Sequence, residues 1–182
     1  MRNSYPTFTW YLRSMTQATT LEITRAIPAD VPLLLSLIKE LAEFEKLQQH
    51  VVATEAVLSQ SLFGGRPAAE AVIARVGGKP AGFALYFHNF STFLGRHGLY
   101  LEDLFVRPDF RGRAVGKSLL AYLAKLAVER GCGRFEWAVL DWNRRAQEFY
   151  ESLGAQARTD WIGYRISGDA LRRLSEAGIE LT

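Results

Sequence analysis

Cysteine is almost absent: Cys132 is the only one in 182 residues. No intrachain disulfide and no multi-cysteine metal cluster can form, and a reducing, cytoplasmic setting is expected. Histidine is scarce too. His50, His88 and His97 stand at no metal-ligand spacing along the chain. They therefore read as ordinary polar residues, and no metal is expected. Long apolar runs are missing, because nothing approaches the roughly 18–20 residues that span a bilayer, so no membrane partner is expected. Neither sign of charge dominates: 22 Lys and Arg face 19 Asp and Glu, a net charge of +3. Nucleic-acid binding would call for basic and aromatic residues alternating on one face. The basic side chains instead cluster at one loop or scatter along helices, and no nucleic-acid partner is expected. Internal repeats and linkers are also lacking.

What is present is an ordinary globular composition, 48% hydrophobic and 23% charged, long enough to bury a real core. Residues 1–20 stand apart. They hold Arg2 and Arg13 but no acid, with hydroxyl and aromatic residues scattered among them. They read as a disordered N-terminal extension, with Met15 as an alternative start. Residues 21–182 read as a single domain.

Leu21–Ala26 reads as a strand, and Asp30 as the cap of a helix through Lys46, with Pro32 in its first turn. Leu34, Leu37, Ile38, Leu41 and Phe44 give that helix one apolar face. Thr54 opens a second helix that ends near Gly64-Gly65. Ala69–Val76 and Ala81–Phe87 flank Gly77-Gly78, a hairpin pattern. Residues 88–97 read as a polar-aromatic loop, and Gly98–Val106 as the next strand. A helix over Val115–Arg130 stops at Gly131. A strand over Phe135–Leu140, a helix over Asn143–Leu153, a strand over Trp161–Ile166 and a helix over Gly168–Glu176 complete the order. This predicts a mixed α/β (α+β) fold, antiparallel early and crossing over through helices later.

The most informative stretch is Glu102–Lys117. An apolar strand ends in the pair Glu102-Asp103, turns at Pro108, and feeds the basic loop Arg111-Gly112-Arg113-Ala114-Val115-Gly116-Lys117 at a helix start. Unpaired N–H groups and the positive end of the helix dipole make that loop a phosphate cradle. It is not a Walker A loop. That motif has four residues between its first Gly and the Gly-Lys, and here there are three.

The run Arg111-Gly112-Arg113-Ala114-Val115-Gly116 resembles the Arg/Gln-x-x-Gly-x-Gly/Ala motif of the GCN5-related N-acetyltransferases. Further segments are similar to the branch containing spermidine/spermine and thialysine N-acetyltransferases: residues 37–45, Leu99–Val106, Trp142-Asn143, and Phe149-Tyr150 with Gly154-Ala155. The resemblance implies a mostly antiparallel sheet flanked by helices and splayed open at the cofactor site. It implies acetyl-CoA as cosubstrate and a small-molecule primary amine (diamine, polyamine or lysine-like amino acid) as acceptor. It also implies a homodimer, with Trp161–Ile166 and the following helix as the interface.

The resemblance further assigns individual roles. Pyrophosphate would rest on Arg111, Gly112, Arg113, Ala114, Val115, Gly116 and Lys117. Leu104, Phe105 and Val106 would pair with the pantetheine arm, and Asn143 would bond to that arm. Glu102 would take the amine proton, which an alkylamine of pKa near 10.4 must shed before attack. Tyr150 would protonate the departing thiolate. Phe44, Glu45, Glu102, Glu136 and Trp137 would line the amine site. Asp103, on the opposite face of its strand, reads as structural or as a cation contact from another angle.

Two departures stand out. Ala114 occupies a position where the family usually has glycine, which costs on the order of 1 kcal/mol if the backbone there needs positive φ. Ser91-Thr92-Phe93 replaces the Asp-Pro-Trp of polyamine-specific members, which removes a carboxylate partner and favours a shorter, lysine-like amine. The competing reading is a non-catalytic acyl-CoA-binding regulatory module; the presence of both Glu102 and Tyr150 weighs against it.

Overall fold

The structure, a computed structural model, describes residues 20–177. The extension expected over residues 1–20 thus lies outside the described residues except for Thr20. The chain divides into two compact units, one ending at Ala138 and one beginning at Val139.

The first unit contains β1 (Leu21–Arg25), α1 (Val31–Glu45), α2 (Glu55–Phe63), β2 (Glu70–Val76), β3 (Lys79–Ser91), β4 (Arg96–Val106), α3 (Val115–Glu129) and β5 (Phe135–Trp137). The strands form one sheet in the order β1-β2-β3-β4-β5. The first three pairings are antiparallel and β4–β5 is parallel. This is the mixed, mostly antiparallel open sheet that the sequence predicts. The second unit holds α4 (Arg144–Ser152) and α5 (Gly168–Glu176).

β2 sits inside the sheet, and its run Ala71–Ala74 is buried throughout, as expected for a strand covered on both faces. Leu34, Leu37 and Leu41 of α1 and Leu62 of α2 pack on Ile73, Phe83 and Phe105. Leu104 and Val106 alternate with Phe105 and so face the other way. There a Cβ on Gly116 of α3 would lie 3.9 Å from Leu104 and 3.7 Å from Val106. The stripe Val115, Leu119, Leu120, Leu123, Leu126 and Ala127 buries the inner side of α3. The β2–β3 hairpin turns on Gly77 and Gly78, both at positive φ (57° and 75°), the geometry that matches strand twist.

Four local expectations are corrected. Residues 88–97 are not a loop: β3 and β4 run on and pair from His88↔Leu99 to Ser91↔Arg96. Alternating His88-Asn89-Phe90-Ser91 reads as polar, yet both its faces find neighbours in the hairpin. The Ser91 hydroxyl accepts the Leu94 N–H at 3.3 Å and closes the turn. β5 stops at Trp137 instead of Leu140. Trp161–Ile166 forms no strand among the described residues, since an extended apolar run needs a ladder partner. Asp30 stands at the α1 N-cap without capping it. Its carboxylate instead accepts the Ile27 N–H at 3.0 Å and the Arg75 guanidinium at 2.8 Å. No helix among the described residues is long and apolar enough to cross a membrane.

Candidate active site

The site begins with an irregularity in β4. Leu85 pairs with Asp103 and Tyr86 with Leu101, so Glu102 has no Cα partner on β3. Two residues of one strand thus oppose one step of the other, which is a β-bulge. On the opposite side, the parallel ladder with β5 runs Leu99↔Phe135, Tyr100↔Glu136, Leu101↔Trp137 and goes no further. Glu102 is therefore exposed where both neighbouring strands let go. Beyond it, Leu104, Phe105 and Val106 pair with β3 on one side only. A free strand edge of this kind can take an extended ligand as an added strand.

The bulge also sorts the two acids. Phe105 and Asp103 share the face that carries α1 and α2, whereas Leu101 pairs with Tyr86 on the face toward α3. Asp103 consequently sits half-buried. Burial, with the charges of Glu102 and Glu45 added, pushes its carboxyl up to about 6. Glu45, at the end of α1, is likewise raised by burial. Among the described residues none of these three carboxylates forms an ion pair or side-chain hydrogen bond. Three neighbouring carboxylates without a compensating cation attract one.

Phe44 and Arg111 close the same corner. The Arg111 guanidinium lies 4.7 Å from the centroid of the Phe44 ring, and its Nε donates to the Val106 carbonyl at 3.0 Å. Arg111 thus ties the end of α1 to the end of β4 and the mouth of the cradle. A second arginine does similar work nearby: Arg107 forms a fork with Glu40 at 2.6 and 2.8 Å.

The cradle itself runs from Gly112 to Lys117. Ser118 is the first residue whose N–H turns back into the helix, to the Ala114 carbonyl at 2.9 Å. Among the described residues no backbone carbonyl takes the N–H groups of residues 112–117. Gly112 (φ 74°) and Ala114 (φ 60°) are both left-handed, the alternation that curls successive N–H groups into an anion nest. Glycine does this freely. Ala114 adopts the same region against its Cβ, so the cost on the order of 1 kcal/mol applies. Arg113 and Lys117 are exposed.

The other sequence candidates fall differently. Glu136 is already engaged: Asn89 Nδ2 donates to Oε2 at 2.8 Å and Arg134 Nε lies 2.7 Å from the same oxygen. Those contacts tie β5 to β3 across the sheet and leave Glu136 a poorer amine ligand than Glu45. Trp137 is the last residue of the β4–β5 ladder, its ring 4.9 Å from that of Phe135. In the second unit, Asn143 Oδ1 accepts the Ala146 N–H at 3.3 Å and caps α4. Tyr150 lies on α4, half-buried, and burial pushes its phenol above the ordinary range. Such a phenol keeps its proton at neutral pH, as a proton donor requires. Sequence reading leaves Asp103 between a structural role and a cation contact from another angle. Only the bulge, which places it beside Glu45, reveals its setting.

Comparison with known proteins agrees with this architecture. The acetyltransferase (GNAT) family profile matches residues 35–155. Thialysine N-epsilon-acetyltransferase of Bos taurus is 37% identical over 164 residues, 84% of this chain and 96% of that protein. L-ornithine N5-acetyltransferase NATA1 of Arabidopsis thaliana is 34% identical over 202 residues, covering 86% of this chain and 89% of that protein. Among solved structures, an integron cassette protein from the mobile metagenome of V. cholerae superposes with a TM-score of 0.73 at 28% identity, covering 86% and 98% of the two chains. Profile, relatives and sheet architecture coincide, and the chain belongs to the acetyltransferase (GNAT) family.

Proposed function

We propose that this GNAT N-acetyltransferase moves an acetyl group from acetyl-CoA to the side-chain amine of a short, lysine- or ornithine-like amino acid. The observation that carries the reading is the grouping of Glu45, Glu102 and Asp103 at the bulge, where β4 loses its β5 partner. A cationic amine suits the carboxylates, and the open edge and cradle suit the donor. The N–H groups of residues 112–117, with Arg113 and Lys117, would hold the pyrophosphate, and the edge Leu104–Val106 the pantetheine arm. Asn143 would add a bond to that arm.

Glu102 then takes the ammonium proton through a water molecule, and the freed nitrogen lone pair attacks the thioester carbon. A backbone N–H near the end of the paired strand polarises the carbonyl. As the new C–N bond forms, the C–S bond breaks and Tyr150 gives its proton to the thiolate; the second proton on nitrogen then leaves through water and restores the phenol, while Glu102 passes its proton to solvent. No protein-bound intermediate is needed. Glu45, Asp103 and Phe44 hold the amine, and the family resemblance adds Trp137 to the lining; Glu136 contributes through its hold on β5. Ser91 closes a turn and Phe93 stands 95% exposed. The β3–β4 hairpin thus lacks the carboxylate that a long polyamine would use, and the relatives that act on thialysine and ornithine point the same way.

Residues 21–182 act here as one N-acetyltransferase domain, since the family match crosses from the first unit into the second. We assign a homodimer in a reducing, cytoplasmic compartment. Trp161, Ile162, Tyr164 and Ile166 are 65%, 77%, 91% and 47% exposed, a strand-like run with no strand partner among the described residues. A second copy can supply one.

The test is coenzyme A release with thialysine, ornithine, lysine, short diamines and spermidine. Shorter amino acids are expected to exceed spermidine in kcat/KM. Glu102→Gln and Tyr150→Phe should each lower kcat by ~10²–10⁴. Background release with every amine, despite tight acetyl-CoA binding, would instead mark a non-catalytic acyl-CoA-binding module.

A further inference from the structure

The chain has three histidines and one cysteine. Two of those histidines and the cysteine converge: ligand atoms of His88, His97 and Cys132 all lie within 4.8 Å of one another. We propose that these three side chains form a binding site for a borderline-soft divalent cation of the zinc class. The site is separate from the acetyl-transfer machinery, which occupies the bulge and the other end of β4.

The backbone assembles it. His88 pairs with Leu99 and His97 with Phe90, so the two imidazoles are diagonal neighbours on one face of the hairpin, within reach of each other. Their ring centroids are 5.1 Å apart. Cys132 sits in the turn after α3, and that turn is fastened to β4 twice. Gly133 N–H donates to the His97 carbonyl at 2.9 Å, and His97 Nε2 lies 3.0 Å from the Arg130 carbonyl. A carbonyl only accepts, so Nε2 carries the hydrogen and the other ring nitrogen keeps its lone pair. A metal-binding imidazole usually makes this kind of bond through its second nitrogen. The thiol turn is anchored too, with Cys132 N–H bonded to the Ala127 carbonyl at 2.9 Å.

Arg130 Nη1 donates to His88 Nε2 at 3.4 Å, a long, exposed bond that the metal would displace. The Arg130 charge is compensated, because Glu70 grips its guanidinium with both carboxylate oxygens, one of them at 2.8 Å. Bonds of ~2.0–2.3 Å in a tetrahedral site place ligand atoms ~3.3–3.7 Å apart. The three groups must therefore close by about 1 Å, a movement the exposed His88 side chain can make by rotation. Two imidazoles and a thiolate favour zinc over hard cations. On binding, the S–H bond breaks, its proton passes to solvent, and a sulfur–metal bond forms. A water completes four-coordination.

Cobalt(II) added to the reduced, untagged, chelator-stripped full chain tests the proposal. One equivalent should bind, with a thiolate-to-cobalt charge-transfer band in the near ultraviolet and the visible bands of a four-coordinate ion, both abolished by zinc. Cys132→Ser should remove the charge-transfer band while circular dichroism is unchanged. His88→Ala and His97→Ala should each weaken binding by more than the ~10-fold that loss of even an outer-shell partner costs. His50→Ala should leave binding as it is. Absence of the charge-transfer band, or parent affinity in Cys132→Ser, would overturn the proposal. So would binding governed by His50.

Discussion

Replacing Asp103 by asparagine isolates the electrostatics of the bulge. The carboxyl stands at about 6 in the folded chain against an ordinary value of 3.8, held up first by burial and then by Glu102 and Glu45. The folded state therefore binds the proton more tightly than the unfolded state does. Its contribution is most favourable below pH ~4, declines as pH rises through the interval to ~6, and is flat above. At 1.36 kcal/mol per pH unit, ionising the folded side chain costs up to ~3 kcal/mol, and its partial contact with water brings the expected figure to ~2 kcal/mol. The amide of the variant cannot ionise. Urea unfolding at pH 4 and pH 8 should show the parent losing ~2 kcal/mol relative to Asp103→Asn between the two. A second readout is kinetic. A bound ammonium restores the ionised form, so kcat/KM of the parent should fall below pH ~6 through this group, and Asp103→Asn should lose that limb while raising KM for the amine. Parallel stability curves for parent and variant across that interval would refute the placement of Asp103 among carboxylates.

Ala114→Gly should stabilise the chain by ~0.5–1 kcal/mol, because glycine removes the left-handed penalty but loses more entropy on folding. A thermal midpoint lower than the parent's would show that Ala114 is not strained. Affinity for acetyl-CoA, read by calorimetry, should be equal or slightly tighter. Gly82→Ala should do the reverse. A Cβ there would clash with the Phe105 carbonyl oxygen, so β3 and β4 must part next to the open edge of Leu104–Val106. A loss of ~2 kcal/mol or more is expected in urea unfolding, with a raised KM for acetyl-CoA. Stability within ~0.5 kcal/mol of the parent would mean the strands are not in close approach there.

The legible parts of this chain are those carried by local chemistry. The apolar period of α1, the Thr54 cap of α2, the Gly77-Gly78 turn and the Gly131 stop all act over a few residues, and all appear as read. The cradle is equally local, since glycine and basic residues at a helix start suffice to announce it. What stayed hidden depends on partners distant in sequence. Residues 88–91 became strand because residues 96–99 lie opposite them. Residues 161–166 did not, for want of such a partner. Asp103 acquired its raised carboxyl from burial and from Glu102 and Glu45, the latter reached through a register shift that no spacing encodes. His88, His97 and Cys132 meet across three elements, which is why they look unrelated along the chain.

The bulge at Glu102 can be separated from the fold on the register alone. Leu101 already pairs with Tyr86 on one face, and Asp103 with Leu85 on the other. Removing residue 102 would leave those two pairs adjacent, in the strict alternation of a regular ladder. Phe105 and Leu101 would each keep the face on which they are now buried. Fold stability therefore gives no reason for the extra residue, and bulges cost regular pairing. A Glu102 deletion should accordingly fold with stability equal to or above that of Glu102→Gln, and retain acetyl-CoA binding because Leu104–Lys117 is untouched. Its turnover should fall at least as far. Loss of more than ~2 kcal/mol on deletion would show that the bulge supports the twist of β4. Equal stability with lost turnover would leave the presentation of one carboxylate as the bulge's purpose.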